Sequence, residues 1–130
     1  MAGPRLQHVH VCYEPGREAE ARAFYSGVLG LPETGLRRPP FADGRPRALW
    51  FDAGGGNQVH VSADPDRDPH ARRHFALVVD ALAPILDRAR AAGSTIQPFG
   101  REPRQDRCYA LDPFGNRIEL IEETALAESL

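Results

Sequence analysis

Hydrophobic and polar residues alternate along Leu6 to Cys12: Leu6, His8 and His10 point one way, Val9 and Val11 the other, as in a half-buried strand. The apolar period then lengthens. Ala21, Phe24, Tyr25, Val28 and Leu29 fall at i, i+3, i+4, i+7 and i+8, which predicts a helix with one apolar stripe, and Gly30 is placed to end it in a left-handed cap. Leu31 to Gly35 predicts a short strand. The stretch from Arg37 to Arg47, with Pro39, Pro40, Pro46 and Asp43-Gly44, predicts a loop or loose hairpin. Arg47 to Ala53 and Gln58 to Ser62 predict strands joined by Gly54-Gly55-Gly56-Asn57. The first module, over about residues 5–62, thus runs strand, helix, strand, strand, strand.

After a polar linker over about residues 63–72 the same order begins again. In Arg73 to Val79, the residues Phe75, Leu77 and Val79 alternate with His74, Ala76 and Val78. A second helix carries Leu82, Ile85, Leu86 and Ala89 on one stripe, with Pro84 in its first turn and Gly93 at its end. Strands at Thr95 to Phe99, Arg107 to Leu111 and Arg117 to Glu123 complete a second module over about residues 73–123, and the tail Glu122 to Leu130 predicts a short amphipathic helix or a frayed end. Residue-level echoes support an internal repeat. His8-Val9-His10-Val11 corresponds to His74-Phe75-Ala76-Leu77, and Gly56-Asn57-Gln58-Val59-His60-Val61 to Gly115-Asn116-Arg117-Ile118-Glu119-Leu120. The expectation is one domain of two related modules over residues 1–130.

Composition narrows the partners. The chain is 42% hydrophobic and 26% charged, an ordinary globular balance, and its formal charge of −2 comes with no basic block. Nucleic acid and membrane surfaces are therefore not expected as partners. No run approaches the length of a membrane span, residues Met1 to His10 lack the apolar stretch of a secretory signal, and Cys12 and Cys108 form no spacing motif, so a cytoplasmic location is expected.

The repeat links four polar positions: His8 with His74, and His60 with Glu119. Each has apolar neighbours along its strand, which should pack beneath the helices and leave the four groups on a concave face. Three imidazoles and one carboxylate suit a divalent transition metal. His10, whose counterpart is Ala76, is expected to contact substrate or to hydrogen-bond a ligand residue, and His70, beside Pro69 in the linker, to be solvated. Trp50, Tyr109, Phe41 and Phe114 pack in the core and rim or line an aromatic cleft for a flat ligand, and Arg117 shares the Glu119 face, where it meets an anionic substrate or a rim acid. The Gly54-Gly55-Gly56 run is not a nucleotide loop, because no helix follows it.

These residues resemble the vicinal oxygen chelate superfamily, which includes glyoxalase I, methylmalonyl-CoA epimerase, fosfomycin resistance proteins, extradiol dioxygenases and bleomycin resistance proteins. The carriers are Leu6-Gln7-His8-Val9, Ala23-Phe24-Tyr25-Ser26-Gly27-Val28-Leu29-Gly30-Leu31, His74-Phe75-Ala76-Leu77-Val78-Val79 and Leu111-Asp112-Pro113-Phe114-Gly115-Asn116-Arg117-Ile118-Glu119-Leu120. The resemblance implies an α+β fold in which two βαβββ modules form a cup-shaped, barrel-like mixed sheet, usually as a homodimer. It implies one divalent metal ion per site (Zn, Ni, Co, Mn or Fe) held by His8, His74 and Glu119. His60 falls at the fourth ligand position, where glyoxalase I has Glu and the epimerase Gln.

The activity implied is that of a glyoxalase-like lyase or isomerase, in which the metal stabilises an enediolate of a small oxygen-rich metabolite. Glu119 or His60 would serve as base, and His10, Trp50, Tyr109 and Arg117 would contact substrate. Three alternatives stand beside it. Tyr109 to Glu119 resembles the ring-cleaving signature of extradiol dioxygenases, but Gly100 to Cys108 lacks its histidine. Fosfomycin-type thiol transfer fits three ligands, yet His10 stands where a threonine is expected. A metal-free binding protein of the bleomycin resistance type would lack the ligand histidines that this chain keeps.

Overall fold

The computed structural model describes residues 3–35, 39–44, 48–69, 72–101 and 104–126. Strand β1 (His8–Tyr13) leads into helix α1 (Glu18–Arg22), which continues as a π-helical segment, Ala23–Val28. Strands β2 (Leu49–Asp52), β3 (Gln58–Ala63) and β4 (His74–Val79) follow, then helix α2 (Ala83–Ala92), strands β5 (Thr95–Pro98), β6 (Arg107–Leu111) and β7 (Arg117–Glu122), and the short helix α3 (Glu123–Leu126). Arg37, Arg47, His70 and residues 127–130, on which parts of the loop, strand, linker and tail readings fell, lie outside the described residues.

The strands form two sheets, ordered β1-β3-β2 and β4-β7-β6-β5. β1 runs parallel to β3 and β4 parallel to β7, and the remaining pairs are antiparallel. The registers match: His60 lies opposite His10 and Trp50, as Glu119 lies opposite Ala76 and Tyr109. The α+β fold of two related modules expected from the sequence is thus present as a three-stranded and a four-stranded sheet, with no ladder joining the two among the described residues.

The expected strand at Leu31 to Gly35 shrinks to one bridge, Glu33 to Phe51. Asp52 N–H donates to the Pro32 carbonyl and Thr34 N–H to the Trp50 carbonyl, both at 2.8 Å. Pro32 has no N–H of its own and Gly30 before it is left-handed, at φ 78°, so the ladder extends no further. The first helix buries the whole predicted stripe from Ala21 to Leu29, but its backbone widens. Leu29 N–H reaches back five residues to the Phe24 carbonyl at 2.9 Å, the mark of a π turn. Helix α2 is as expected, with proline in its first turn and Gly93 left-handed at φ 73°.

The core lies between the helices and the inward sheet faces. Leu49, Phe51, Val59 and Val61 of the first sheet and Ile118, Leu120, Ala110 and Cys108 of the second are buried with Phe24, Tyr25, Val28, Leu82, Ile85 and Ala89. Each large side chain contributes about 1.5–3 kcal/mol by leaving water. A polar staple joins the modules. Buried Asp112 accepts the Tyr25 hydroxyl at 2.7 Å and, in its own turn, the Phe114 and Asn116 N–H groups at 2.9 and 2.8 Å. The Asn116 side-chain amide donates across to the Cys12 carbonyl at 2.8 Å, and Arg88 Nε to the Val28 carbonyl at 3.0 Å. The turn over residues 112–116 therefore acts in structure. Among the described residues no helix is long and apolar enough to cross a membrane.

Candidate functional site

Side chains alternate along each strand, so the face opposite the core collects His8, His10 and Cys12 of β1, Gln58, His60 and Ser62 of β3 and Trp50 of β2. On the second sheet the matching face holds His74, Ala76, Arg117, Glu119, Arg107 and Tyr109.

On the first sheet His8, His60 and Trp50 form a three-ring column. The His8 and His60 centroids are 4.2 Å apart with planes 19° from parallel, and Trp50 stacks on the other side of His60 at 4.4 Å and 8°. His8 Nδ1 donates to Gln7 Oε1 at 2.6 Å and His60 Nε2 to Gln58 Oε1 at 2.8 Å, taking the amide oxygens as acceptors. His10 Nε2 bonds the Ser62 hydroxyl at 2.6 Å and meets His60 edge-on. Burial, and then the charges of neighbouring histidines, lower the pKa values of His10 and His60, so both rings are neutral near pH 7.

The stacking bears on metal binding. A metal ion lies in the plane of each imidazole that ligates it, at about 2.0–2.1 Å from the nitrogen. Near-parallel rings 4.2 Å apart share no such point close to both edges. As they stand, His8 and His60 do not both bind one ion. Held by Trp50 and Gln58, His60 is the constrained partner, whereas His8 is exposed at the end of the column.

On the second sheet His74 Nε2 stands 3.2 Å from Glu119 Oε1. His74 Nδ1 lies 2.9 Å from the Arg72 carbonyl, which can only accept, so Nδ1 carries the proton. In the neutral ring Nε2 then turns a lone pair toward a carboxylate oxygen, an arrangement that calls for a positive charge between them: a proton or a metal ion. Two donors each about 2.1 Å from one ion at a tetrahedral angle stand about 3.4 Å apart, so the pair fits one edge of a coordination shell. A carbonyl anchor on the other ring nitrogen is the usual support of a metal-ligating histidine.

The remaining oxygen of Glu119 is gripped by a residue that the sequence reading missed. Arg107 donates from Nε and Nη2 to Glu119 Oε2 at 3.0 and 2.8 Å, and both side chains are largely buried. Arg107 lies two residues before Tyr109 on the same face, and the strand register sets it diagonal to Glu119 across the ladder. Arg107 also lies over Phe99 at 4.2 Å, and Arg117 over Tyr109 at 3.4 Å, while Tyr109 turns its edge to His74. Arg117 thus meets an aromatic ring on this face.

His8 and His60 therefore come together, and so do His74 and Glu119, but the expected convergence of all four is not found within one chain. Among the described residues no group of three or more His, Cys, Asp or Glu side chains could hold one ion. The cause is architectural: each pair sits on its own open sheet, and the sheets are joined through their helices and the Asp112 staple.

The fold and sequence are shared with known proteins. A glyoxalase family protein of Bacillus anthracis has a TM-score of 0.72 and 31% identity, covering 94% of this chain and 97% of its own. An antibiotic binding protein from a Streptomyces species has a TM-score of 0.65 at 21% identity over 94% and 98% of the two chains. The trypanothione-dependent glyoxalase I of Leishmania major has a TM-score of 0.70 at 18% identity over 98% and 92%. The last two likenesses speak for the fold alone. No curated protein sequence matches the chain. With residues 7–120 matching the family model, the chain belongs to the Glyoxalase/Bleomycin resistance protein/Dioxygenase superfamily.

Proposed function

We propose that this chain is a metal-dependent lyase or isomerase of the glyoxalase type, acting on a small oxygen-rich metabolite at a site completed by two copies of the chain. The observation that carries this reading is the His74–Glu119 pair, with Nε2 at 3.2 Å from a carboxylate oxygen and Nδ1 anchored on a backbone carbonyl. His74 and Glu119 of one copy, with His8 of the other, would hold a divalent ion. When bound, that ion would supply Lewis-acid stabilisation of negative charge on two neighbouring substrate oxygens.

The chain's own groups divide the remaining work. Arg107 fixes Glu119 by one oxygen, which suits a ligand better than a base that must swing free. His60 is neutral, held between Trp50 and His8, and takes the role of base, with Nδ1 as the atom that receives the proton while Nε2 stays on Gln58. Trp50, Tyr109, His10 and Arg117 orient the substrate above the two sheets.

Elemental analysis of untagged protein purified without chelators tests the metal. About one equivalent of a transition metal per chain is expected in the wild type, with a marked loss in Glu119→Gln and His74→Ala. Wild-type protein that stays metal-free after reconstitution with several divalent ions would overturn the reading. It would then favour metal-free ligand binding in the same fold, which has its own support: Arg107 already gives Glu119 a counter-charge, and the His8–His60–Trp50 column is a surface suited to a flat ligand.

A further inference from the structure

Between β1 and the start of β4, under the linker that follows β3, lies a cavity of about 620 Å³. Its polar lining includes Arg67, Arg72, Arg73, Arg117, His10 and His74. We infer that this cavity is a subsite for an anionic oxygen group, a carboxylate or a phosphate, carried by a small molecule.

Arg67 is the anchor. Its side chain is three-quarters buried, and its Nε is closed off with no hydrogen-bond partner among the described residues. Its Nη2 lies 3.9 Å from Glu14 Oε2, beyond hydrogen-bonding distance, and that oxygen is already taken by Arg17 at 2.9 Å. A guanidinium cannot shed its charge, and a buried N–H without an acceptor is costly, so the natural complement is an oxygen anion. Arg117, laid on Tyr109 at 3.4 Å, adds a second fixed positive charge.

Asp64, Asp66 and Asp68 share the lining, and the first and last of them are engaged in the loop itself. Asp68 pairs with Arg73 at the exposed rim at 3.6 Å, and Asp64 Oδ1 accepts the Asp66 N–H at 2.8 Å. The linker is set close to the fold by Gly115, where an added Cβ would stand 3.3 Å from Pro69 Cγ. His74 belongs both to this lining and to the pair with Glu119, so an anion seated by Arg67 places the rest of its molecule against that pair. The substrate is accordingly an anionic oxygenated compound. That last step rests on the function proposed above, whereas the anion subsite does not.

The test is calorimetric titration of the chelator-treated chain with inorganic phosphate and with succinate at low and high sodium chloride. Saturable, salt-sensitive binding is expected, weakened about tenfold or more in Arg67→Gln, less in Arg67→Lys, and unchanged in Arg90→Gln on the exposed face of α2. Circular dichroism checks that each variant is folded. Absence of saturable binding of either anion, or equal binding by wild type and folded Arg67→Gln, would overturn the subsite. Arg67-dependent binding in a protein that takes up no metal would uphold the subsite while removing the metal-dependent function.

Discussion

Glu119 is the most tightly held residue of the candidate site. It is nearly buried, yet both oxygens are engaged, one with His74 and one with Arg107. Removing a partner from a buried ion pair leaves a charge without compensation, which costs more than the pair itself contributes. Arg107→Leu is therefore expected to lower unfolding stability by about 3 kcal/mol in urea denaturation, with Arg107→Lys recovering part of the loss. A stability within experimental error of the wild type would mean that the grip is not maintained in solution.

The histidines of the first sheet make a separate prediction for the metal-free chain. His10 and His60 resist protonation in the folded state, first through burial and then through the charge of His8, to which His10 adds for His60. Below the ordinary histidine value the unfolded chain then binds more protons than the folded one, so stability rises with pH across this range. Lowering the pH from about 7.5 to about 5.5 should reduce the urea midpoint, and His8→Gln, which removes a neighbouring positive charge, should make the reduction smaller. A midpoint that climbs on acidification would contradict the shared cause.

At the level of elements, the join between the modules depends on the π segment and the turn before β7. Tyr25, within the π segment, places its hydroxyl on buried Asp112. Tyr25→Phe should cost about 1–2 kcal/mol of stability, measured by thermal or chemical unfolding, because the carboxylate loses a donor it cannot replace from water. Gly115→Ala should also destabilise, since the site combines φ +91° with close contact to Pro69. The apolar stripe that marks the first helix was legible in the residues; the π turn was not, because a stripe reports which side chains are buried and not how many residues the backbone spends per turn. The strand expected at Leu31 to Gly35 failed for a related reason. Alternation sets a possible face, but Pro32 limits the ladder to a single bridge.

At the scale of the whole molecule, the proposed function has a second copy of the chain join the two pairs into one centre. β1 and β4 are sheet edges whose inward residues, Val9, Val11, Phe75, Leu77 and Val79, are only half-buried within one chain. Mixing His8→Ala chains with Glu119→Gln chains tests the proposed sharing. If each site draws on two copies, the mixed dimer regains one intact site, and equal amounts should recover about one quarter of an equivalent of metal per chain after subunit exchange. If each site lies within a single chain, nothing is recovered.

The sequence by itself determined the strand and helix order of most of both modules, the capping glycines and the equivalence in the repeat of His8 with His74 and of His60 with Glu119, because periodicity and turn chemistry act over a few residues. Tertiary structure alone decided that these residues stand as two pairs on two sheets, that His60 stacks between His8 and Trp50, and that Arg107 grips Glu119. Such contacts depend on strand register, ring orientation and the angle between sheets, which arise from packing across the whole chain and leave no local pattern.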